Sequence, residues 1–213
     1  MCAQSEVQAF ALRARQFLQD LSSNNDHAWF RSNKRRYDTD VKRPAEHILT
    51  GVAAALAARS GVPVRSKLFR LHRDIRFSED KSPYLTHLHA AWSAPDGRGW
   101  YFGLSPDYAT AGAGMMRFDA EQTARWRAAV TGPAGVDLAA HLEGIGARLD
   151  PPALAEVPPP FTPDHPQAPL LRRTGCVLWR DDLFDSLSPD PAKALLSAFD
   201  RLAPLQDWLG AHL

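Results

Sequence analysis

The segment from residue 70 to residue 84, RLHRDIRFSEDKSPY, concentrates side chains suited to holding an anion. A guanidinium group donates two parallel hydrogen bonds to a carboxylate or phosphate, and an ammonium group adds a point charge. Because three arginines outnumber the one acid between them, the segment predicts a pocket for a small anionic ligand, including a phosphorylated one. An internal Arg–Asp network that holds a strand to its helices is the alternative. The predicted ligand-binding residues are Arg70, Arg73, Asp74, Arg76, Lys81 and Tyr84.

Imidazole and amide groups elsewhere in the chain are accessory candidates, because they donate hydrogen bonds or move protons beside such a pocket. These accessory residues are Asn25, His72, His87, His89 and His165. On a strand, His87 and His89 share one face, where His72 or Asp74 from a neighbouring strand could complete a metal site. A hydrogen-bonded polar face is the simpler interpretation of that pair, so no metal site is predicted.

No catalytic residue and no cofactor follow from these patterns. Asp164 and His165 are adjacent in a proline-rich stretch, where a carboxylate can orient an imidazole base, but neighbouring residues usually point apart. Ser78 is the nucleophile candidate closest to the arginines. The sequence has no GxSxG or HExxH motif and no context typical of a nucleophilic cysteine. Whether the protein is an enzyme stays open at this point.

Charge is unevenly distributed although the formal net charge is only +1. Residues 31–81 hold 13 Lys and Arg against six Asp and Glu, a net of +7, whereas the remainder carries −6. A basic surface on an acidic body concentrates anionic ligands. The same segment supports an alternative, a nucleic-acid-binding module whose basic face includes Arg31, Lys34, Arg35 and Arg36. Since the sequence contains no recognisable nucleic-acid-binding motif, nucleic acid is the less favoured partner.

Helices that would position these groups follow from the hydrophobic spacing. Apolar residues at helical spacing predict a helix over residues 5–22, a second capped by Asp26 and a third that begins near Pro44. Asp119 is expected to cap a helix over residues 120–131. Further helices are expected over residues 134–148 and from Pro191 to the end of the chain.

Alternation of apolar and polar residues in the middle of the chain predicts an antiparallel meander. In the first strand Phe69, Leu71, Ile75 and Phe77 would share an apolar face. In the fourth strand the run Gly112–Gly114 favours close packing beside aromatic neighbours, and its small side chains would also leave room for a ligand. The result is an α+β fold, a mainly antiparallel sheet covered by N-terminal and C-terminal helices. Its strands are predicted near residues 66–74, 86–93, 99–105, 108–116 and 174–180.

Length and composition set the wider limits. With 213 residues, of which 45% are hydrophobic, the chain is expected to form one domain over residues 1–213, with a proline-rich surface connection near 151–169. No apolar stretch approaches the roughly 18 residues of a membrane helix, so no membrane partner is expected. Cys2 and Cys176 are too few for a disulfide framework, which favours a cytoplasmic location. Membrane, disulfide-rich secreted, coiled-coil and disordered classes are thereby excluded.

The arginine segment also resembles a known family signature. RLHRDIRFSEDKSPY is similar to the pattern Arg-x-x-Arg-Asp-x-Arg-Phe…Asp-Lys-x-x-Tyr of the bacterial and fungal domain of unknown function 2461 family, conserved hypothetical proteins of about this length. Three further segments resemble that family's N-terminal helix pair, its glycine-rich strand pair and its late Asp-His-Pro loop: FLQDLSSNNDHAWFRSNKRRYD, GWYFGLSPDYATAGAGMMRFDAEQTARWRAAV and PPPFTPDHPQAPLLRRTG. The resemblance implies a shared fold over most of the chain and implies no activity. Arg172 and Arg173 stand where a lysine is common in the family, which keeps the charge but removes the amine.

Overall fold

Helices occupy both ends of the chain in the computed structural model, which describes residues 9–76 and 79–213. They are α1 Phe10–Ser23, α2 His27–Ser32, α3 Lys34–Tyr37, α4 Arg43–Ser60, α5 Ala120–Val130, α6 Pro133–Gly144, α7 Ala168–Leu171 and α8 Pro191–His212. A π-helical turn, Asp38–Lys42, joins α3 to α4. The first residues of the helix expected over 5–22 lie outside the described residues, as does Cys2. Within the described ranges no helix combines the length and apolar character needed to span a bilayer.

Strands in the described part of the chain form one six-stranded antiparallel sheet in the order β1-β2-β3-β4-β6-β5. They are β1 Arg65–Leu68, β2 Leu88–Ser93, β3 Gly99–Leu104, β4 Ala109–Met115, β5 Arg148–Leu149 and β6 Cys176–Arg180. The α+β fold is confirmed. The helix expected over 134–148 was too long: α6 ends at Gly144, Gly146 adopts a left-handed φ of 62°, and the chain returns to the sheet as β5.

Side-chain caps explain where several helices begin. The Asp26 carboxylate accepts hydrogen bonds from the backbone amides of Ala28 and Trp29, which satisfies two of the amides left open at the start of α2. Asp119 accepts from the Gln122 amide, and Gln122 returns a bond to the Asp119 amide in a capping box. Both predicted caps are confirmed.

One face of the sheet packs against α4 and α8. Trp92 of β2 is fully buried there; its indole Nε1 donates to the Leu49 carbonyl of α4 at 2.9 Å. Its ring also meets Phe199 of α8, with 5.6 Å between centroids. Leu88 and Ala90 alternate with it on the same buried face. Burial of such large apolar groups stabilises the fold by about 1.5–3 kcal/mol each, so this face anchors the sheet.

The opposite face, here called the open face, carries the side chains of alternate residues. The strand register aligns one row across all six strands: Lys67, Ala91, Tyr101, Gly112, Trp179 and Arg148. In the adjacent row His89 lies opposite Gly103, and Gly103 lies opposite Thr110. Because Ala91 and Gly103 carry little or no side chain, the open face has a concavity between its larger side chains.

The arginine segment leaves the sheet earlier than the alternation indicated. A strand was expected over 66–74, but β1 ends at Leu68, and only one further ladder bond follows, from the Phe69 amide to the His89 carbonyl at 2.9 Å. Residues 71–73 then pair with residues 83–85, through the antiparallel bridge His72–Tyr84 and its flanking backbone hydrogen bonds. Residues 70–76 and 79–85, here called the arginine hairpin, therefore form a separate antiparallel pairing at the sheet edge.

The expected apolar face of this segment does not exist as one surface. Leu71 is buried, but Phe69 and Ile75 expose 41% and 42% of their area. The physical reason is the hairpin, because its turn ends the two-residue period after Leu71. Phe77, the last residue assigned to that face, lies outside the described residues.

Candidate ligand-binding site

Tyr84 fixes the base of the arginine hairpin to the N-terminal helices. The Asn25 side chain donates to the Tyr84 carbonyl at 2.8 Å and accepts from the Tyr84 amide at 3.1 Å. The Tyr84 ring stacks on Phe30 with 4.1 Å between centroids, and its hydroxyl lies 3.2 Å from Nδ1 of His27. Burial of the phenol raises its pKa above the ordinary value. Asn25 and Tyr84, both predicted site residues, thus have partners within the protein and position the hairpin.

The exposed tip of the hairpin holds three more of the predicted residues. Arg76 donates two hydrogen bonds to Asp74, from Nε at 2.9 Å and from Nη2 at 2.6 Å. These bonds hold the pKa of the Asp74 carboxyl below its usual value. Lys81 donates from Nζ to the Ile75 carbonyl at 3.1 Å. Asp74, Arg76 and Lys81 line neither of the cavities described below, and Ser78 lies outside the described residues.

Arg73 is more enclosed than the residues at the tip. Its Nη2 lies 2.9 Å from Asp80 Oδ2, and only 23% of its side chain is exposed. Its Nε is buried with no hydrogen-bond partner among the described residues. The Arg73 guanidinium also acts on His87, whose pKa is lowered first by desolvation and then by this neighbouring charge.

Arg70 borders a cleft of about 240 Å³ between the arginine hairpin and β2. The cleft is lined by Phe69, Arg70, His72, Leu85, His87 and His89. Within the described part of the chain Arg70 makes no hydrogen bond or ion pair, although its charge helps to lower the pKa of Asp74. Of the four predicted cations, Arg70 is the one at this cleft, together with three of the predicted histidines.

His87 and His89 form a stacked pair, with ring centroids 4.0 Å apart and planes 28° from parallel. His89 Nε2 lies 2.9 Å from the hydroxyl of Tyr108. Desolvation, reinforced by the neighbouring His87, lowers the pKa of His89 to about 4. The His89 imidazole is therefore neutral at pH 7.

A second, larger cavity of about 630 Å³ occupies the open face and adjoins the cleft, since Phe69 and His89 line both. Its floor includes the small residues Ala91 and Gly103, and its aromatic members are Phe69, Tyr101, Phe102, Tyr108 and Trp179. Drug-sized ligands occupy cavities of about 300–1,000 Å³ with mainly apolar walls. The sequence indicated room for a ligand at Gly112–Gly114, but these glycines do not line the cavity: Gly112 packs under Trp179 and Gly114 against the Cys176 backbone. The sequence did not identify the aromatic residues that do line it. The sequence pattern that could have identified this face is the alternation in β3, where Tyr101 and Gly103 alternate with the core residues and therefore lie on the opposite face.

The far end of this cavity is acidic. Arg148 pairs with both Asp150 and Asp181, and Thr110 donates to Asp181 at 2.7 Å. The Trp179 indole Nε1 donates to Asp150 at 2.9 Å. The hydrogen bond from Arg148 holds the pKa of Asp181 below its usual value. Two carboxylates against one guanidinium give this end a formal charge of −1, opposite in sign to the Arg70 end.

The match to a family model decides what the chain is related to. The model described as "Conserved hypothetical protein (DUF2461)" matches residues 13–208. The chain belongs to the DUF2461 family. No curated protein and no solved structure shows significant similarity to it. The matched range includes the arginine hairpin and all residues of both cavities, so the candidate site lies within the family's own segment of this DUF2461 protein.

His165, the remaining accessory candidate, lies away from these contacts in the DUF2461 chain. Its ring meets Phe161 at 6.1 Å, and its Nδ1 accepts from the Gln167 amide at 3.0 Å. It lines neither cavity. Among residues 9–76 and 79–213, no group of three or more His, Cys, Asp and Glu side chains has the geometry to hold a metal ion.

Proposed function

We propose that this DUF2461 protein binds a small anionic ligand, with the anionic group held by Arg70 in the cleft beside the arginine hairpin. The observation that carries the proposal is that the Arg70 guanidinium, at that cleft, has no hydrogen-bond or ion-pair partner among residues 9–76 and 79–213. Arg73 and Arg76 each have a carboxylate partner, Asp80 and Asp74 respectively. A guanidinium with no internal partner retains all its donors for a ligand oxygen.

The neighbouring imidazoles support the same function. His87 and His89 both have lowered pKa values, so at neutral pH they add no charge of their own to the cleft. A neutral imidazole carries one N–H donor, which suits an oxyanion already held by an arginine. The local charge that selects an anion therefore comes from Arg70, and the charge of Arg73 also acts on His87.

The test is a thermal-shift titration with inorganic phosphate, citrate and AMP as probes. A ligand that binds only the folded state raises the melting temperature. We expect at least one probe to stabilise the wild type. We expect Arg70→Ala to weaken its binding by about 10- to 100-fold, because a charge-assisted hydrogen bond contributes about 1.5–3 kcal/mol.

The matched control is Arg31→Ala, since Arg31 is an exposed arginine on α2 that lines neither cavity. This variant should keep the wild-type shift. Absence of a shift with all three anions, or equal shifts in Arg70→Ala and the wild type, would contradict the proposal.

Single-stranded nucleic acid is a second candidate, and one arrangement favours it. Arg65 and Lys67 alternate on β1 on the side of the open face, next to aromatic groups on which bases can stack. Binding would then extend over the basic segment and include Arg31, Lys34, Arg35 and Arg36. The acidic end of the larger cavity opposes a polyanion that crosses the sheet, so the small ligand is the favoured occupant.

A further inference from the structure

Two aromatic residues that line the larger cavity pack against glycines of a neighbouring strand. A Cβ atom added to Gly112 would lie 2.4 Å from Cε3 of Trp179, and one added to Gly103 would lie 3.0 Å from Cε2 of Tyr108. Three atoms of the Trp179 ring lie within 3.0 Å of the position of the Gly112 Cβ, so this ring covers the backbone of β4, whereas the Tyr108 ring contacts β3 at Gly103. Both residues also line the cavity, where the Arg148 guanidinium lies over the Trp179 ring, 5.7 Å from its centroid, so a ligand would contact the Trp179 ring beside Arg148.

Hydrogen bonds fix the polar ends of these two rings. The Trp179 indole is bound to Asp150, and the Tyr108 hydroxyl is bound to His89. A ring already held in place loses little conformational freedom when a ligand stacks on it. The pair is thus a preorganised surface for a flat, unsaturated ring system.

Exposed apolar groups border the same surface. Phe69, Tyr108 and Met116 expose 41%, 39% and 54% of their area, and all three line the cavity. Large apolar groups gathered around one concavity are typical of a binding site rather than of ordinary surface. Contact with these three side chains would also exclude water from the edges of a ligand ring.

The charges at the two ends set the orientation of such a ligand. Asp150 and Asp181 provide acceptors at the β5–β6 end, and Arg70 provides donors beyond Phe69 and His89. Between His89 on β2 and Asp181 after β6 lie three strand spacings, or about 14 Å. That separation exceeds the reach of a bare anion or of one ring, so the ring and the anionic group must be joined by a spacer.

We infer that the ligand is a nucleoside monophosphate or a molecule of the same design: a flat nitrogen heterocycle on Trp179 and Tyr108, a spacer, and a phosphate at Arg70. Its ring N–H groups face Asp150 and Asp181. This inference rests on the proposed function for the phosphate end, whereas the stacking surface is an independent feature of the open face.

The test distinguishes binding of the heterocycle end of the ligand from binding of its phosphate end with three probes: AMP, adenosine and ribose 5-phosphate. Calorimetry measures the affinity for AMP. Ligand-observed NMR compares the affinities for the two weaker fragments, adenosine and ribose 5-phosphate. We expect AMP to bind more tightly than either fragment. Trp179→Leu should weaken the binding of AMP and adenosine by about tenfold or more, because stacking on an aromatic ring is lost. The binding of ribose 5-phosphate should not change. Trp179→Phe should recover part of the loss.

Gly112→Ala provides a second route, since the added methyl group displaces the Trp179 ring without removing it. Circular dichroism and the melting temperature identify which of these variants remain folded. The inference is overturned if a folded Trp179→Leu or Gly112→Ala variant binds adenosine and AMP like the wild type. It is also overturned if only an oligoadenylate, and not AMP, binds.

Arg70→Ala shows which of the two proposals fails. If it weakens AMP and ribose 5-phosphate but not adenosine, both proposals stand. If it changes none of the three affinities while Trp179→Leu weakens adenosine, the stacking surface stands and the assignment of Arg70 is wrong.

Discussion

At the scale of single residues, the segment 70–84 divides into groups with different tasks. Tyr84 belongs to the packing of the hairpin, Asp74 and Arg76 satisfy each other at the tip, and Arg70 remains without an internal partner among the described residues. The sequence identified this segment because cations outnumber acids there. It did not separate the roles, since partners such as Asn25 are distant in the chain.

The two hydrogen bonds of Asn25 to Tyr84 should stabilise the fold. Asn25→Ala leaves a backbone amide and a carbonyl without their partner, which we expect to cost about 1–3 kcal/mol in the free energy of unfolding. Chemical denaturation measures this loss. Asn24→Ala is the matched control, because the exposed Asn24 side chain bonds only to the Asp20 carbonyl one turn earlier. Equal losses in the two variants would count against the role of Asn25.

His89 should titrate well below an ordinary histidine. Because its folded pKa is about 4 and the unfolded value about 6.5, the unfolded chain binds more protons between these values. The contribution of His89 to stability is therefore present above pH 6.5 and is lost as the pH falls towards 4. NMR of the ring carbons gives the midpoint directly. A midpoint above 6 in the folded protein would refute the desolvation argument.

At the scale of elements, local signals were sufficient wherever the structure is local. Asp26 and Asp119 were identified as caps because a carboxylate before an apolar run satisfies open amides. The strand expected over 86–93 appears as β2 because alternation persists across its length. The sequence predictions failed where long-range strand pairing determines the element. Strand β5 has only two residues, too few to show an alternating pattern. Strand β1 ends early because residues 71–73 pair with residues 83–85 instead.

The capping box of α5 should have a measurable energy. Asp119→Ala removes the bond to the Gln122 amide and frees Gln122, which also donates to the Asp96 carbonyl at the turn between β2 and β3. We expect a loss of about 0.5–2 kcal/mol in the free energy of unfolding. Glu121→Ala on the same turn removes only an exposed ion pair with Arg125 and should cost less than about 0.5 kcal/mol. Reversed magnitudes would show that the cap is not the stabilising feature.

At the scale of the whole molecule, the charge count of residues 31–81 overstates the charge available to a polyanion. Arg36 pairs with Asp20 of α1, and Arg59 pairs with Asp200 of α8, so acids from outside the segment neutralise part of its excess. A sequence count cannot include such pairs, because they form between elements far apart in the chain. The open aromatic face was hidden for the same reason: Trp179 meets Gly112 only in the folded sheet.

The salt dependence of binding distinguishes the two candidate functions of the whole molecule. A ligand held by one arginine neutralises about one phosphate, so the logarithm of its association constant should fall with the logarithm of salt concentration with a slope of about −1 or shallower. A single strand bound across Arg31, Lys34, Arg35 and Arg36 would release counterions from about four phosphates, with a slope near −3.

We expect the shallow slope for AMP, measured by calorimetry between about 50 and 200 mM salt. We also expect an Arg31→Ala/Arg35→Ala double variant to bind AMP like the wild type, since neither residue lines a cavity of the candidate site. A steep slope with an oligonucleotide, lost in that double variant, would instead place the function on the basic segment. The fold would then serve as a nucleic-acid-binding module, with Arg70 as one contact among several.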